Sequence, residues 1–247
     1  SPFFYKIDVG LPQPVSLVFW FSLVLLLVVL IVPPVYWGIR SSRARGRPRE
    51  RQRPKNRLLQ SAALFVLVGV GFMLVEISLI QRFILYLGQP VLSMAVLLFS
   101  LLTGAGLGSL YSGRLKPQDI LKGITTAAIA VGLLIIIYIF LIPLIFNQLL
   151  GLNLALRLLV MVLMLVPLGF LMGFPFPLGI RALKEAEMAG YIPWMWGLNG
   201  VGSVLGSSLT IVIAISSGFA QALLVGAICY LLVCLVFLKH GIIKRVP

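Results

Sequence analysis

Long apolar stretches alternate with short polar segments along the whole chain, and this pattern is typical of a membrane protein. An α-helix rises about 1.5 Å per residue, so about 20 apolar residues cross the hydrocarbon core of a bilayer. Seven stretches reach that length, at residues 15–39, 59–87, 91–112, 123–146, 154–178, 194–216 and 219–238. The pattern predicts an all-α fold, a polytopic membrane helical bundle with about seven transmembrane helices.

One basic segment separates the first predicted helix from the six that follow it. We interpret residues 1–39 as a lead-in and first transmembrane helix, 40–58 as an Arg-rich cytoplasmic linker, and 59–247 as a six-helix transmembrane bundle. Proline lacks the N–H group that a helix needs, so Pro33 and Pro34 are expected to break or kink the first helix. If they make that stretch re-entrant, only the N-terminus changes side.

The shorter polar segments are predicted to be loops. Residues 114–122 and 181–187 are charged and separate apolar stretches. Pro175 and Pro177 are expected to distort the last turn of the fifth helix.

The basic residues fall almost entirely on one side of the membrane when the predicted helices alternate in direction. Nine lie in 40–58, three in 114–122, two in 181–187 and three in 239–245, which makes seventeen of the twenty. Cytoplasmic loops of membrane proteins carry such an excess. The expected location is therefore the bacterial inner membrane, with the N-terminus outside and the C-terminus inside.

The composition changes the interpretation of the net charge of +14. With 60% hydrophobic and 11% charged residues, the chain has too little charge for a soluble surface. Anionic lipid headgroups attract such a basic linker at about 1 kcal/mol per side chain. Nucleic acid is not expected as a partner, because no aromatic residues interleave with the basic ones to stack bases. The candidate headgroup ligands are Arg43, Arg45, Arg47, Arg49, Arg51 and Arg53.

Glu76 is the most unusual residue in the apolar stretches, because a carboxylate at membrane depth is costly and usually faces protein or a wet cavity. Arg82 follows six residues later, about 9 Å along the axis and roughly 120° around it, so the two do not form a simple intrahelical pair. Together with Gln81 and with Asn199 in the sixth stretch, they are candidate intramembrane polar residues. Asn199 is a possible hydrogen-bonding partner of Glu76. Both a structural polar contact and a transport or proton site remain open.

Small residues at four-residue spacing predict close helix packing. In the third stretch Gly104, Gly108, Ser109 and Gly113 have this spacing, and Gly202 and Gly206 repeat it in the sixth. Small side chains let helix backbones approach closely in lipid. A phosphate-binding glycine loop is not expected, since no strand precedes the glycines and the Lys-Ser/Thr pair of that motif is missing.

No catalytic or metal-binding set is recognisable. The single histidine, His240, lies at the end of the last stretch, which excludes a Ser-His-Asp or Cys-His arrangement within the bundle. Cys229 and Cys234 are five residues apart inside an apolar stretch and match no zinc motif. We therefore expect no catalytic residue, no metal and no cofactor in this chain.

Four segments resemble the membrane part of bacterial spermidine-synthase-like (polyamine aminopropyltransferase-like) integral membrane proteins. They are GFMLVEISLIQRFILYLG at 71–88, FSLLTGAGLGS at 99–109, MGFPFPLG at 172–179 and WGLNGVGS at 196–203. The opening Pro2-Phe-Phe-Tyr5 is similar to the stretch after the soluble domain of long fused members. A weaker likeness to the major-facilitator superfamily lies in SGRL at 112–115.

The resemblance implies that any aminopropyltransferase activity resides in a soluble domain, so no catalytic residue is carried over. Because the sequence opens on Ser1 rather than Met, it is expected to be a segment of a longer polypeptide or a processed product. The first hypothesis is a non-catalytic membrane domain, acting as an anchor or as an accessory subunit beside other membrane proteins. The alternatives are half of a secondary transporter using Glu76 and Arg82, and the membrane part of a fused polyamine synthase.

Overall fold

The computed structural model describes residues 13–43, 55–149 and 151–238, and these ranges form eight α-helices without any β-strand. The helices are α1 (Gln13–Arg43), α2 (Lys55–Leu87), α3 (Pro90–Ser112), α4 (Ile120–Leu149), α5 (Leu154–Met172), α6 (Pro175–Glu185), α7 (Ile192–Ser217) and α8 (Phe219–Leu238). Within the described ranges, seven helical segments are long and apolar enough to cross a membrane. The predicted all-α polytopic bundle is confirmed.

The fifth predicted helix is two helices, which corrects the sequence-based interpretation. The helix α5 ends at Met172, and α6 begins at Pro175 and continues to Glu185. Proline is tolerated in a first turn because its missing N–H is not needed there, so it starts a new helix after the break. The segment 181–187 was expected to be a loop, yet residues 181–185 belong to α6.

Three other boundaries also differ from the predicted ones. The helix α1 continues through Pro33 and Pro34 to Arg43, so the two prolines do not end it. In lipid, a helix keeps most backbone groups hydrogen-bonded, which favours continuing it. The helix α2 already begins at Lys55. In the predicted loop 114–122, a 3-10 turn precedes α4, which starts at Ile120.

The helix α2 is the centre of the bundle. It packs most extensively against α7 and α8, and it also contacts α3, α5 and α6. The helix α3 packs mainly on α5, and α4 packs mainly on α8. The largest buried cluster joins residues of α2, α3, α4, α5 and α8. Since α3 and α7 share little or no contact, these two helices border one side of α2 without closing over it.

The helix α1 lies at the edge of this bundle and packs against α7. Ser22 is the single buried side chain among residues 13–31, and its hydroxyl oxygen lies 3.2 Å from that of Ser208. The indole Nε1 of Trp194 donates to the carbonyl oxygen of Val29 at 2.6 Å. Two polar contacts and one helix face therefore attach α1.

Candidate functional site at Glu76 on the central helix

Glu76 lies on α2 and is buried, with 8% of its side chain exposed. Its Oε2 atom is buried and has no hydrogen-bonding partner in the described part of the chain. A buried polar atom without a partner costs free energy, and native proteins rarely keep one without a reason. Of the five such atoms among the described residues, it alone belongs to a carboxyl group, so Glu76 is the leading candidate for a functional site.

Helix periodicity shows which neighbours flank Glu76. Gly69 and Phe83 lie seven residues before and after it, on the same face of α2. Gly69 lies against Asn199 of α7, whereas the carbonyl oxygen of Phe83 accepts a hydrogen bond from Ser93 Oγ of α3 at 3.2 Å. We call this face of α2, which holds Gly69, Glu76 and Phe83, the α3–α7 seam. At Gly69 this face contacts α7, and at Phe83 it contacts α3. Glu76 lies midway between these two contacts.

The side chains beside Glu76 in the seam are large and apolar. Phe72 and Ile80, four residues to either side, are partly buried against the main core cluster. Met73 is half-buried, and its Cβ atom lies beside Gly206 of α7. Residues three and four apart are neighbours on a helix surface. Glu76 is thus set among hydrocarbon side chains.

The structure does not bring Gln81 or Arg82 to Glu76. Gln81 is exposed near the end of α2, and Arg82 is half-buried. The six-residue separation of Arg82 from Glu76 puts its side chain on another face of α2. The two charges of the transport hypothesis are therefore not adjacent.

Asn199 is also separate from Glu76, which corrects the suggested hydrogen bond between them. Its Nδ2 atom donates to the carbonyl oxygen of Phe65 at 3.0 Å. Phe65 precedes Glu76 by eleven residues, or about 16 Å along the helix axis. The helices α2 and α7 run in the same direction, so Asn199, near the start of α7, meets the first half of α2.

The small residues of α3 lie at its contact with α5. A Cβ atom at Gly104 would overlap the carbonyl oxygen of Val166, and one at Gly108 would overlap that of Phe170. By contrast, Ser109 is exposed and Gly113 is the exposed residue that ends α3. The two halves of the predicted set therefore have different surroundings.

Gly202 and Gly206 of α7 lie against α2. A Cβ atom at Gly202 would be 3.0 Å from the carbonyl oxygen of Val66, and one at Gly206 would be 2.6 Å from that of Val70. The contact also includes Ser203, whose Oγ lies 3.5 Å from the carbonyl oxygen of Gly69.

The six arginines proposed for headgroup binding lie outside the residues whose side chains are described. Arg43 is the last residue of α1 in backbone terms, and Arg45, Arg47, Arg49, Arg51 and Arg53 fall between the described ranges.

Sequence reasoning missed Arg181, which joins α6 to the end of α3. Its Nη1 donates to the carbonyl oxygen of Ser112 and its Nη2 to that of Leu115, both at 2.7 Å. The last carbonyl groups of a helix lack intrahelical partners, and a cation near them is favourable. No local pattern shows this contact, because the arginine comes from 66 residues further along the chain.

The contact made by Tyr138 was also not predicted from the sequence, although a tyrosine in an apolar stretch indicates one. Its hydroxyl group donates to the carbonyl oxygen of Met164 at 2.6 Å and links α4 to α5. A tyrosine within a long apolar stretch generally needs a partner for its hydroxyl group, so the sequence offered a hint of an interhelical contact.

At the opposite end of the bundle from Arg181, Arg157 lies beside the ring of Tyr86. The rings of Tyr86 and Phe146 stack with their centroids 4.1 Å apart. The guanidinium group of Arg157 lies 5.8 Å from the centroid of the Tyr86 ring, and its Nη1 donates to the Tyr86 carbonyl oxygen at 3.3 Å. Arg157 is thus engaged in holding α2 and α5 together.

No group of three or more His, Cys, Asp or Glu side chains suited to a metal ion occurs in the described ranges. The chain matches no protein-family model, and no curated protein or solved structure was found to match it. The resemblance to spermidine-synthase-like membrane proteins therefore stays a prediction from the quoted segments.

Proposed function

We propose that the chain is a non-catalytic membrane domain that serves as an anchor or accessory subunit and packs against other membrane proteins. One observation carries this proposal. The helix α3 uses Gly104 and Gly108 to pack on α5, yet a second set of small residues, Gly106, Ser109 and Gly113, is exposed.

These exposed positions share one outward face of α3, because they follow each other at intervals of three and four residues. A Cβ atom added at Gly106 would meet nothing within 4 Å. In lipid, small residues favour the close approach of a second helix. The uncovered face therefore suits a transmembrane helix of another subunit.

The proposed setting is the bacterial inner membrane, with the Arg181 end of the bundle on the cytoplasmic side. The concentration of basic residues at that end supports this orientation. Anionic lipid headgroups are the proposed surroundings of the basic segment 40–58.

Isolation from the native membrane in mild detergent, followed by native mass spectrometry, tests the accessory role. We expect this chain to travel in fixed ratio with other membrane proteins. Gly106→Leu should release the partner while the bundle stays folded, because the structure has room there. Gly200→Leu is the matched control, since Gly200 is exposed on α7 and also has nothing within 4 Å. A chain that elutes alone before any substitution would contradict the proposal.

A second function, half of a secondary transporter, is favoured by the unpartnered Oε2 atom of Glu76. Ionisable groups inside membranes often mark ion or proton pathways. In proteoliposomes with a trapped pH indicator and a clamped membrane potential, a transporter would admit protons faster than empty liposomes do. Glu76→Gln should abolish this difference, and Glu185→Gln, at an exposed position of α6, should keep it. Equal rates for the wild-type protein and empty liposomes would reject proton-linked transport.

A further inference from the structure

Among the residues that the structure describes, no cation lies in contact with Glu76. The two helices that border the α3–α7 seam have no charged side chain: α3 (Pro90–Ser112) has only Tyr111 as a titratable group, and α7 (Ile192–Ser217) has none. The other charged or titratable side chains on the helices packed against α2 are Lys122 and Tyr138 on α4, whose Phe146 ring contacts Phe83 and Tyr86, Arg157 on α5, Arg181, Lys184 and Glu185 on α6, and Cys229, Tyr230 and Cys234 on α8.

None of these groups has a described contact with Glu76. The Tyr138 hydroxyl donates to the carbonyl oxygen of Met164. Arg157 bonds to the carbonyl oxygen of Tyr86, ten residues or about 15 Å further along α2. Arg181 bonds at the end of α3, and the charged residues of α6 lie at that end of the bundle. Tyr230 and Cys229 lie against Gly71, which is roughly 140° around α2 from Glu76.

Arg82, on the same helix, is also turned away, roughly 120° around the axis. A carboxylate at Glu76 would therefore stand in hydrocarbon without a cation beside it. The cost of such an isolated charge is large enough that proteins pair it or neutralise it.

A metal cation does not suit this position. Hard cations such as Ca²⁺ and Mg²⁺ take six or more oxygen ligands, often from several carboxylates. Glu76 is the only acidic residue of α2, and its flanking residues Phe72, Met73 and Ile80 supply no oxygen ligand from their side chains. A proton needs no set of oxygen ligands, because it bonds to one carboxyl oxygen.

We propose that Glu76 is a proton-binding site inside the membrane and that its carboxyl group stays protonated in the folded bundle. The proton comes from water and bonds to one carboxyl oxygen, leaving a neutral acid that can donate a hydrogen bond. This inference does not depend on transport, since a proton can also be held permanently for structural reasons.

Thr210 is the candidate acceptor for that hydrogen bond. Asn199 contacts Phe65, and Gly206 contacts Val70, so α7 runs parallel to α2. Residues of α7 therefore lie beside residues of α2 whose numbers are lower by 134 to 136. The same offset places Thr210 at the level of Glu76. The Thr210 hydroxyl donates to the carbonyl oxygen of Gly206 at 2.7 Å, and its oxygen keeps acceptor capacity.

Dicyclohexylcarbodiimide, an apolar reagent, tests the proposal on the full chain in mild detergent. The reagent takes the acid proton on one of its nitrogens, and the carboxyl oxygen bonds to its central carbon, so only the protonated form reacts. We expect the Glu76 peptide to carry about tenfold more label than the peptides of the exposed Glu185 and Glu187, because apolar surroundings favour the neutral acid. Labelling should fall as the pH rises, and Glu76→Gln should remove it while Glu185→Gln keeps it.

Infrared spectroscopy detects a protonated carboxyl group directly, so it tests the proposal even if the reagent does not reach Glu76. A protonated carboxyl group gives a C=O stretching band distinct from the carboxylate bands, and this band should be present in the wild-type protein and lost in Glu76→Gln. Absence of the band at neutral pH in the folded wild-type protein would overturn the proposal. Protection of Glu76 from the reagent by Na⁺ at constant pH would also overturn it, in favour of a cation site.

Discussion

The α3–α5 and α2–α7 contacts are both made by parallel helices whose small residues let the backbones approach closely, yet they differ in the hydrogen bonds that side chains add. In α3–α5, glycines stand on both sides: Gly104 and Gly108 face α5, and Gly169 faces the carbonyl oxygen of Leu101. In α2–α7 glycines also stand on both sides: Gly202 and Gly206 meet valines of α2, and Gly69 of α2 faces the carbonyl oxygen of Asn199.

The second contact has side-chain hydrogen bonds that the first lacks among the bonds described. Asn199 donates to Phe65, and Ser203 lies near the carbonyl oxygen of Gly69. The same spacing of small residues therefore joins helices in lipid in two ways. One relies on backbone approach alone, and the other adds interhelical hydrogen bonds.

The largest expected effect is at the closest backbone contact. Gly108→Ala places a methyl group on the Phe170 carbonyl oxygen, so α3 and α5 must separate. We expect a loss of about 3 kcal/mol or more in the free energy of unfolding, at the upper end for overpacked sites. Denaturation in mixed detergent micelles, followed by circular dichroism, measures it.

Gly106→Ala is the matched control for Gly108→Ala, because its added methyl group meets nothing within 4 Å. It should leave the unfolding curve unchanged or shift it towards higher stability, since alanine favours a helix more than glycine does. Equal losses for the two variants would remove the distinction between the inner and outer faces of α3.

The second prediction separates the two glycines of α7. Gly206→Ala puts a methyl group 2.6 Å from the Val70 carbonyl oxygen, whereas Gly202→Ala puts one 3.0 Å from that of Val66. We expect about 2 kcal/mol of destabilisation for Gly206→Ala and about 1 kcal/mol for Gly202→Ala, both within the usual range of overpacking. The same denaturation experiment ranks them, and the reverse order would contradict the described α2–α7 contact.

The smallest effect is expected for the hydrogen bond of Asn199. Removing it by Asn199→Ala should cost about 0.6 kcal/mol, the average for interhelical hydrogen bonds in membranes. Gln81→Ala is the control, since Gln81 is exposed and has no role in the contact. A loss at Asn199 as large as that at Gly108 would mean that side-chain bonding, rather than backbone approach, dominates the α2–α7 contact.

The sequence predicted the spanning helices well, because apolar length is a local property and is set by the thickness of the bilayer. It predicted their ends less well. Pro33 and Pro34 stay within α1, whereas Pro175 starts a helix, and the difference depends on neighbouring packing that one sequence does not reveal.

The contacts between helices were harder still to predict. Glu76 stands out in the sequence because a carboxylate is rare in an apolar stretch. Its proposed contact with Asn199 was wrong, since the offset between parallel helices is set by side-chain packing along their whole length. The bonds of Arg181 to the end of α3 depend on α6, which follows the break after Met172 and which the sequence pattern did not separate from α5.

The parallel pairing of α2 with α7 has a consequence for biosynthesis. Asn199 is made 134 residues after its acceptor Phe65. At about 5 to 20 residues per second, α7 is made roughly 7 to 27 seconds after the contacting part of α2. During that interval α2 lacks its most extensive packing partner, so the carboxyl group of Glu76 is less completely covered in the growing chain than in the finished bundle.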